Sequence, residues 1–378
     1  MTAATPVASA RLQSIAVRDF RNLGRADLDL PAEGLVIIGE NGQGKTNLLE
    51  AVYYLELFRS IRGARDQDLV RFGAPGFHIA AAIETDGPHE ISVGFERASR
   101  RKRVRLDGSE PERLSDAIGS LPAVMLAPGD VELVAGAPSA RRRYLDIMLA
   151  LSSRRYLAAL QRYRVALGHR NAALRDAARK GRRDERVAVW EAPLAEHGAV
   201  LWAARIAWIE RSAERFAVLC DAIGESARVA MRYASVVQPA GDLGAALAAA
   251  LAERRGVDVR RGLTHAGPHR DDLTLSIGGR DLRTFGSAGQ HRTAAIALRM
   301  VEADTLGDRR GGRPLMLLDD PFAELDTRRA GRIVDLLAHD GLGQMILAVP
   351  RESDIPAGLP SLERRRIHAG EIDPWGSA

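Results

Sequence analysis

Hydrophobic residues near the start of the chain follow the spacing of strands first and of a helix afterwards. Residues 12–22 carry apolar side chains at strand-like intervals, which predicts a first β-strand. Residues 34–38 form a short apolar run, typical of a strand buried on both faces of a sheet. In residues 45–58 the apolar positions share one broad helical face. The pattern therefore predicts a strand, a glycine-rich loop and a helix in succession.

Strand-like alternation continues after this helix and then gives way to helical spacing. Three short segments around a turn at Asp107 and Gly108 predict an antiparallel patch: residues 77–83, 90–95 and 103–106. From about residue 139 to residue 253 the spacing is almost wholly helical, apart from one strand predicted at 228–237. Heptads are not sustained there, so no long coiled-coil arm is expected.

Strands return in the last third of the chain, with helices predicted at 290–306 and 328–339. The predicted strands are 272–277, 315–319 and 344–349. Because the first and last strands must pack into one sheet, the core is predicted to be discontinuous. The expected fold is α/β, with residues 1–138 and 262–378 forming one lobe and residues 139–261 an inserted, mainly α-helical lobe.

Composition places the chain among globular proteins and limits its chemistry. The residues are 46% hydrophobic and 27% charged. No stretch resembles a signal peptide, and no apolar run of about eighteen residues occurs, so a cytoplasmic protein without a membrane span is expected. The single cysteine, Cys220, excludes an intrachain disulfide framework and a cysteine-rich zinc site. It ends an apolar helical run, which favours a packing role.

The charge balance gives a weak indication of a polyanionic partner. The formal net charge is +5, and only Lys45, Lys102 and Lys180 among the 54 basic residues are lysines. The remainder are arginines, whose planar guanidinium groups match phosphate oxygens.

A complete phosphate-binding loop follows the predicted strand at 34–38. Its glycines allow successive backbone N–H groups to point at a phosphate, and the following helix adds a favourable dipole. Lys45 is expected to reach the β- and γ-phosphates of ATP, and the Thr46 hydroxyl to ligate Mg²⁺. The predicted nucleotide-binding residues of this Walker A loop are Gly39, Glu40, Asn41, Gly42, Gln43, Gly44, Lys45 and Thr46.

The apolar strand at 315–319 ends in two carboxylates, as a Walker B element requires. Asp319 is expected to hold Mg²⁺, because a hard cation prefers oxygen ligands. Asp320 is expected to orient or deprotonate the attacking water, which makes it a catalytic candidate together with Lys45.

A third nucleotide-binding element is predicted immediately before the helix at 290–306. The sequence at 286–290 has the form and position of an ABC signature motif, with Ser287, Gly289 and Gln290 as contacts. A serine N-cap followed by glycine also opens many ordinary helices. Residues 324–326 occupy the position of a D-loop.

Taken together, these blocks resemble the RecF family of bacterial repair ATPases, which are related to the SMC proteins. The resemblance also includes residues 15–22, 136–146, 267–273 and 285–293. It implies a P-loop NTPase fold of the ABC-ATPase type, with ATP held between two protomers so that the Walker A loop of one meets the signature of the other. It further implies binding of single-stranded, gapped and duplex DNA, partners of the RecR and RecO type, recombinase loading and SOS induction.

Two departures from the common ABC pattern lead us to expect slow turnover, that is, a weak ATPase that acts as a switch. Stimulation by DNA is expected together with the role as a DNA clamp. The second Walker B acid is Asp320 where many ABC ATPases have glutamate, and residues 349–351 replace the usual switch histidine. A shorter carboxylate and a missing histidine would hold the attacking water less well. A Q-loop glutamine is not identifiable.

Basic runs supply the candidate DNA contacts, although such runs are commonly no more than solvated faces. They lack interleaved aromatic residues, so contacts with the phosphate backbone and little sequence readout are expected. A third run spans residues 179–186. The candidate contacts in the first two runs are Arg100, Arg101, Lys102, Arg103, Arg141 and Arg142.

Other interpretations of the sequence remain open at this point. The chain could be the ATPase subunit of an ABC transporter, or an SMC-like ATPase that does not act in gap repair. A nuclease or helicase is disfavoured by the lack of a second acidic cluster or further motifs. His265 and His269 are four residues apart, but Gly267 and Pro268 lie between them, so structural hydrogen bonds are expected rather than a zinc site.

Overall fold

A computed structural model describes residues 10–85, 87–180, 185–237, 241–310, 312–323, 325–339, 343–359 and 362–376. The chain divides into two compact units, each described by itself. Unit 1 comprises Met1–Asp130, Ala222–Gly224 and Leu298–Ala378, and unit 2 comprises Val131–Asp221 and Glu225–Ala297. The lobe boundaries expected from the sequence, at 138 and 262, stay a prediction. The division by packing differs from them because residues 262–297 belong with the helix-rich part of the chain.

The strands and helices are numbered in chain order. The strands are β1 (Arg11–Phe20), β2 (Leu23–Asp29), β3 (Gly34–Ile38), β4 (Gly76–Glu84), β5 (Pro88–Glu96), β6 (Arg101–Leu106), β7 (Ala123–Leu126), β8 (Val229–Ala234), β9 (Asp272–Ile277), β10 (Arg280–Asp281), β11 (Leu315–Asp319), β12 (Met345–Val349), β13 (Glu363–His368) and β14 (Glu371–Pro374). The helices are α1 (Lys45–Leu57), α2 (Asp66–Leu69), α3 (Leu114–Ala117), α4 (Glu132–Ala135), α5 (Pro138–Ser152), α6 (Arg154–Lys180), α7 (Glu185–Ala188), α8 (Glu191–Ile223), α9 (Leu243–Arg261), α10 (Leu282–Phe285), α11 (Ala288–Arg310) and α12 (Thr327–His339).

A mainly parallel sheet forms the centre of unit 1. Within the described residues its strand order is β14-β13-β3-β12-β11-β7, with β14 antiparallel at one edge and the other pairs parallel. Every residue of β3, β11 and β12 is buried, which explains their unbroken apolar sequences. Strand β12 pairs with both β3 and β11, so the carboxyl ends of these strands open at the same edge of the sheet.

An antiparallel sheet in unit 1 has the order β2-β1-β4-β5-β6 in the part of the chain that the structure describes. Helix α1 packs against strands of both sheets, and its buried side chains join their cores. Phe20, Tyr54 and Phe77 meet edge to face, with ring centroids 5.3 to 6.0 Å apart. The antiparallel patch predicted from the sequence is thereby confirmed, as are β1, β3 and α1.

Unit 2 contains the long helices α5, α6, α8 and α9 together with a small antiparallel sheet of order β10-β9-β8. The expectation that residues 272–277 belong to the main core sheet is wrong. They form β9 as predicted, but β9 pairs with β8 over six residue positions and with β10. The strand alternates buried and half-buried positions, so it suits a sheet with one covered face.

Candidate nucleotide site

The loop between β3 and α1 is shaped by glycines in left-handed backbone conformations. Gly42 and Gly44 have φ angles of 82° and 119°. A Cβ on Gly44 would lie 3.0 Å from the side-chain oxygen of Asn22, so both the backbone angle and the available space favour glycine there. Gly44 is also the N-cap of α1 and offers no side chain to its first N–H groups. A phosphate group is the ligand that suits such a helix end.

Neighbouring segments of unit 1 hold this loop in place. The Asn22 side chain donates to the Gln43 carbonyl oxygen at 3.2 Å. The N–H of Gly370 donates to the same oxygen at 2.9 Å, and the N–H of Ala369 donates to the Gln43 side chain at 2.6 Å. The turn between β13 and β14 therefore supports the loop, and Gln43 is engaged with that turn.

Lys45 lies almost buried at the start of α1, 6% exposed. Its ammonium group donates to the carbonyl oxygens of Gly39 and Glu40, the latter at 2.9 Å. Burial lowers the pKa of Lys45, while the nearby carboxylates of Asp319 and Asp320 raise it. A buried ammonium group at the N-terminus of a helix, where backbone N–H groups lack partners, is suited to receive a phosphate anion.

Thr46 and Asp319 meet across the gap between α1 and β11. The Thr46 hydroxyl donates to an Asp319 carboxylate oxygen at 2.7 Å. Burial raises the pKa of Asp319, and the Thr46 hydrogen bond and the Lys45 charge lower it. A hydroxyl oxygen and a carboxylate oxygen this close are a donor pair that fits a hard divalent cation such as Mg²⁺.

One polar cavity of about 390 Å³ brings the Walker A and Walker B predictions together. Asp320 lies in its wall and has a left-handed φ of 46°, held by an N–H bond to the Ala348 carbonyl oxygen at 2.8 Å. The cavity is lined by Asn41, Gly42, Gly44, Lys45, Thr46, Asn47, Arg62, Pro128, Asp319 and Asp320. Mostly polar walls suit phosphates better than an apolar ligand.

Three residues of this lining were not predicted from the sequence: Asn47, Arg62 and Pro128. Asn47 directly follows the loop and donates to Asn22 at 2.8 Å, so adjacency was an available signal. Arg62 lies 3.7 Å from the buried carboxylate of Glu50. Neither Arg62 nor Pro128 belongs to a motif, and only the folded chain places them at the cavity.

The predicted signature residues form a cluster in unit 2 at the start of α11. The N–H of Gln290 donates to the Ser287 hydroxyl oxygen at 3.2 Å, and the N–H of Ser287 donates to the Gln290 side chain at 2.9 Å. This reciprocal capping fixes the turn and leaves the serine hydroxyl hydrogen available for a further acceptor. Ser287 is exposed and Gly289 half-exposed, so this helix end is accessible from solvent.

Residues at the predicted D-loop have a structural role where they are described. The side chain of Asp326 accepts from the N–H of Arg329 at 2.9 Å, which caps α12. Glu324 lies outside the described residues.

Two of the candidate DNA contacts are withdrawn because their charges are used inside the protein. Lys102 donates to the Asp66 carboxylate at 2.8 Å and to the Phe58 carbonyl oxygen at 2.6 Å. Arg141 is 4% exposed and holds Asp272 through two hydrogen bonds of 2.8 Å. A guanidinium in that position cannot reach a phosphate on DNA.

The other candidate DNA contacts differ in exposure. Arg100, Arg101 and Arg103 are exposed. Arg142 is half-buried, and its guanidinium donates to the Asp271 carbonyl oxygen at 2.9 Å. Burial lowers the pKa of Arg142. Of the third basic run, residues 181–184 lie outside the described residues.

The histidines and the cysteine of unit 2 have the structural roles expected. His265 lies 2.8 Å from the buried Asp258 carboxylate, and His269 lies 2.7 Å from the Tyr163 hydroxyl. No cluster of three potential metal ligands occurs in the described ranges. Cys220 is fully buried, and burial raises the pKa of its thiol. In the same ranges, no helix is both long and apolar enough to cross a bilayer.

Comparison with known proteins identifies the relatives of this chain. A family model described as the RecF/RecN/SMC N terminal domain matches residues 11–354. A protein of Chloroflexus aggregans named DNA replication and repair protein RecF is 37% identical over 390 residues, which cover 96% of this chain and 99% of that protein. A protein of the same name from Anaeromyxobacter sp. is 36% identical over 372 residues, with coverage of 96% and 99%.

Solved structures give the same relationship. A structure described as the recombination mediator protein RecF-ATP in the RecFOR pathway has a TM-score of 0.89, 28% identity and coverage of 100% of both chains. The Smc head domain from Pyrococcus furiosus has a TM-score of 0.58 at 16% identity, covering 96% of this chain and 95% of that chain. The latter shows the ABC-ATPase type of fold alone. On the matches to the family model and to the curated relatives, the chain belongs to the RecF family.

Proposed function

We propose that the protein binds and slowly hydrolyses ATP in order to clamp DNA during recombinational repair and replication. One observation carries the proposal: a single polar cavity contains Lys45, Thr46, Asp319 and Asp320. The relatives named above are DNA replication and repair proteins, and the similar solved structure is a recombination mediator with ATP. These relationships favour a role in repair over an ABC transporter subunit.

Each residue of the cavity has a distinct part in this proposal. Lys45 and the N–H groups of the loop bind the β- and γ-phosphates. Thr46 and Asp319 would hold Mg²⁺, and the ion would supply positive charge to neutralise the phosphates. Asp320 orients or deprotonates the attacking water. The short Asp320 carboxylate supports slow hydrolysis, and therefore a switch better than a motor.

The second half of the site comes from another copy of the chain. Ser287, Gly289 and Gln290 lie at an accessible helix N-terminus, where an anion is favoured. The Ser287 hydroxyl hydrogen can bond a γ-phosphate while its oxygen remains the cap of α11. ATP then bridges two protomers, and hydrolysis releases them.

The DNA partner and the protein partners follow from the family. The exposed arginines support backbone contacts with single-stranded, gapped or duplex DNA. The similar solved structure belongs to the RecFOR pathway, so partners of the RecR and RecO type, recombinase loading and SOS induction are part of the proposal. A cytoplasmic location stays an expectation.

Retention of DNA with and without ATP tests this function. The protein should retain duplex and gapped DNA at low ionic strength only when ATP is present, and Lys45→Ala should abolish the ATP effect because the phosphates lose their cation. Arg162→Ala, which removes one exposed charge from α6, is the matched control and should behave like the parent. A parent protein that retains no DNA in the presence of ATP would refute the proposal.

A further inference from the structure

Three arginines share one face of β6, the edge strand of the antiparallel sheet in unit 1. Arg101, Arg103 and Arg105 are exposed and alternate with Lys102 and Val104, which lie on the opposite face. Among the described residues, none of the three arginines has an ion-pair partner. Three unpaired guanidinium groups therefore stand in a row along one strand.

The sheet face beside Arg103 and Arg105 carries small side chains, whereas Glu96 lies opposite Arg101. The register pairs Arg103 with Gly94 and Arg105 with Ser92 on β5. On β4, the residue next to Ser92 is Ala80. Glycine, serine and alanine do not project far from a sheet, so a large ligand can approach the arginines across this face.

The spacing of the row matches the repeat of a nucleic-acid strand. A β-strand rises about 3.4 Å per residue, so alternate residues are about 6.8 Å apart. Successive phosphates of one duplex strand are about 7 Å apart, because each step combines an axial rise of about 3.4 Å with a rotation about the axis. Successive phosphates of a DNA strand whose backbone runs along β6 can therefore face successive arginines of the row.

We infer that Arg101, Arg103 and Arg105 form a phosphate ladder for one strand of duplex DNA lying along β6. The inference rests on the proposed DNA clamp and specifies its contact surface. It also separates the members of the basic run, because Lys102 faces inward and serves a different purpose.

Lys102 fixes the position of β6 and therefore of the three arginines. Its ammonium group joins β6 to the Asp66 carboxylate, the Phe58 carbonyl oxygen and the Tyr54 hydroxyl, the last at 3.3 Å. These bonds hold the edge strand against the body of unit 1. A rigid strand costs less conformational entropy when DNA binds.

The electrostatic surroundings of the row agree with an anionic ligand. His78 lies on β4 opposite Gly94. Burial lowers the pKa of His78, and the charges of Arg18 and Arg105 lower it further, against an opposing effect of Glu90. Arg18 and Arg105 thus place two positive charges near His78, against the one negative charge of Glu90. Glu96, opposite Arg101, accepts a hydrogen bond from the Ser99 hydroxyl.

A different purpose for charges on β6 is protection of an exposed sheet edge against pairing with another chain. The two purposes predict different effects when the arginines are replaced. Loss of a phosphate ladder weakens the salt dependence of DNA binding, whereas loss of edge protection causes aggregation and leaves that dependence unchanged.

The test compares a triple variant, Arg101→Gln with Arg103→Gln and Arg105→Gln, with the parent. Binding of a fluorescent duplex is measured with ATP over a range of salt concentrations. Three lost phosphate contacts should reduce the slope of log affinity against log salt by up to about 2.7, at about 0.9 per contact. ATP-dependent dimer formation, measured as mass, should be unchanged, since the cavity residues are intact.

A matched control removes the same charge from exposed helical positions of unit 2: Arg162→Gln, Arg211→Gln and Arg260→Gln. It should keep the parental slope. The ladder is refuted if the β6 variant keeps the parental slope, with or without aggregation, or if the control loses as much. Should the triple variant fail to fold, Arg103→Gln alone should lower the slope by about 0.9. A parent that binds no DNA would refute the clamp and the ladder together.

Discussion

Asp320 combines a left-handed backbone conformation with a proposed chemical role. It directly follows β11 and has a φ of 46°, a conformation that aspartate and asparagine tolerate better than most residues. Its N–H bond to the Ala348 carbonyl oxygen ties it to β12. The backbone thus holds Asp320 in the cavity wall, next to the residues that are proposed to bind phosphate and Mg²⁺.

Replacement Asp320→Asn should separate hydrolysis from binding. Asparagine keeps the left-handed backbone but cannot accept a proton, so phosphate release should fall by about two to four orders of magnitude. The ATP-bound dimer should persist longer than that of the parent. Phosphate release and mass over time provide the measurement. Asp242→Asn, which retains a cap on α9, is the control. Unchanged phosphate release in Asp320→Asn would exclude Asp320 as the catalytic carboxylate.

Individual residues could be predicted from the sequence where their role is local. The loop residues around Lys45, and the pair Asp319 and Asp320, are defined by neighbours in the sequence. The structure brings them into one cavity, except Gly39, Glu40 and Gln43, which are outside its lining. Arg141 and Lys102 looked like surface charges. Their partners, Asp272 and Asp66, are distant in the sequence, so burial of these charges became visible only in the folded chain.

At the scale of elements, the segment before β9 ties unit 2 together. The buried Asp271 carboxylate accepts bonds from the Trp202 indole and the Tyr233 and Ser235 hydroxyls, at 2.5 to 2.8 Å. His269 bonds the Tyr163 hydroxyl of α6 and the Thr264 carbonyl oxygen. Because that carbonyl only accepts, His269 donates its Nε2 proton to it. Burial lowers the pKa of His269, so Nδ1 carries no proton and accepts from Tyr163. This is the neutral form of histidine.

The neutral His269 predicts a stability loss in mild acid. Burial lowers the pKa of His269 from 6.5 to about 4. In the unfolded chain His269 therefore binds a proton below pH 6.5, whereas in the folded chain it binds one only below about pH 4. Stability is full above pH 6.5 and falls as the pH drops through that window. At pH 5 the loss is about 2 kcal/mol from this one group.

Chemical unfolding at pH 7.5 and pH 5 measures this effect. Three of the four tryptophans, Trp190, Trp202 and Trp208, belong to unit 2, so their fluorescence reports on it. His269→Gln lowers the stability at both pH values but removes the titrating group, so its acid-dependent loss should be smaller than that of the parent. Equal losses in the two proteins would show that His269 is not the group responsible.

Elements were predicted well where the pattern of hydrophobic residues determines them. The buried strands β3, β11 and β12 and the helix α1 were all predicted. Strand β7 has only four residues and β13 is mostly charged, so neither shows a clear hydrophobic period in the sequence. They form because β7 pairs with β11 and β13 pairs with β3. The prediction of the sheet to which β9 belongs was wrong, because periodicity identifies a strand but not the strand with which it pairs.

At the scale of the whole molecule, the proposed function assigns two separate parts of an ATPase site to each copy of the chain. Unit 1 supplies the cavity with Lys45 and Asp319, and unit 2 supplies the capped, exposed turn at Ser287. Phe285, beside that turn, is 63% exposed, which suits burial against another protomer. In an ATP-bridged pair, each site consists of the cavity of one copy and the signature of the other.

This arrangement makes a mixture of two inactive variants the most direct test. Lys45→Ala lacks the phosphate cation but keeps its signature, whereas Ser287→Arg binds ATP but presents a bulky side chain at the turn. Neither should dimerise alone. In a mixture, the cavity of Ser287→Arg meets the intact signature of Lys45→Ala, so one complete site forms per pair. Mass measurement with ATP should detect a heterodimer only in the mixture. A dimer of Ser287→Arg alone, or no dimer in the mixture although the parent dimerises, would contradict the account.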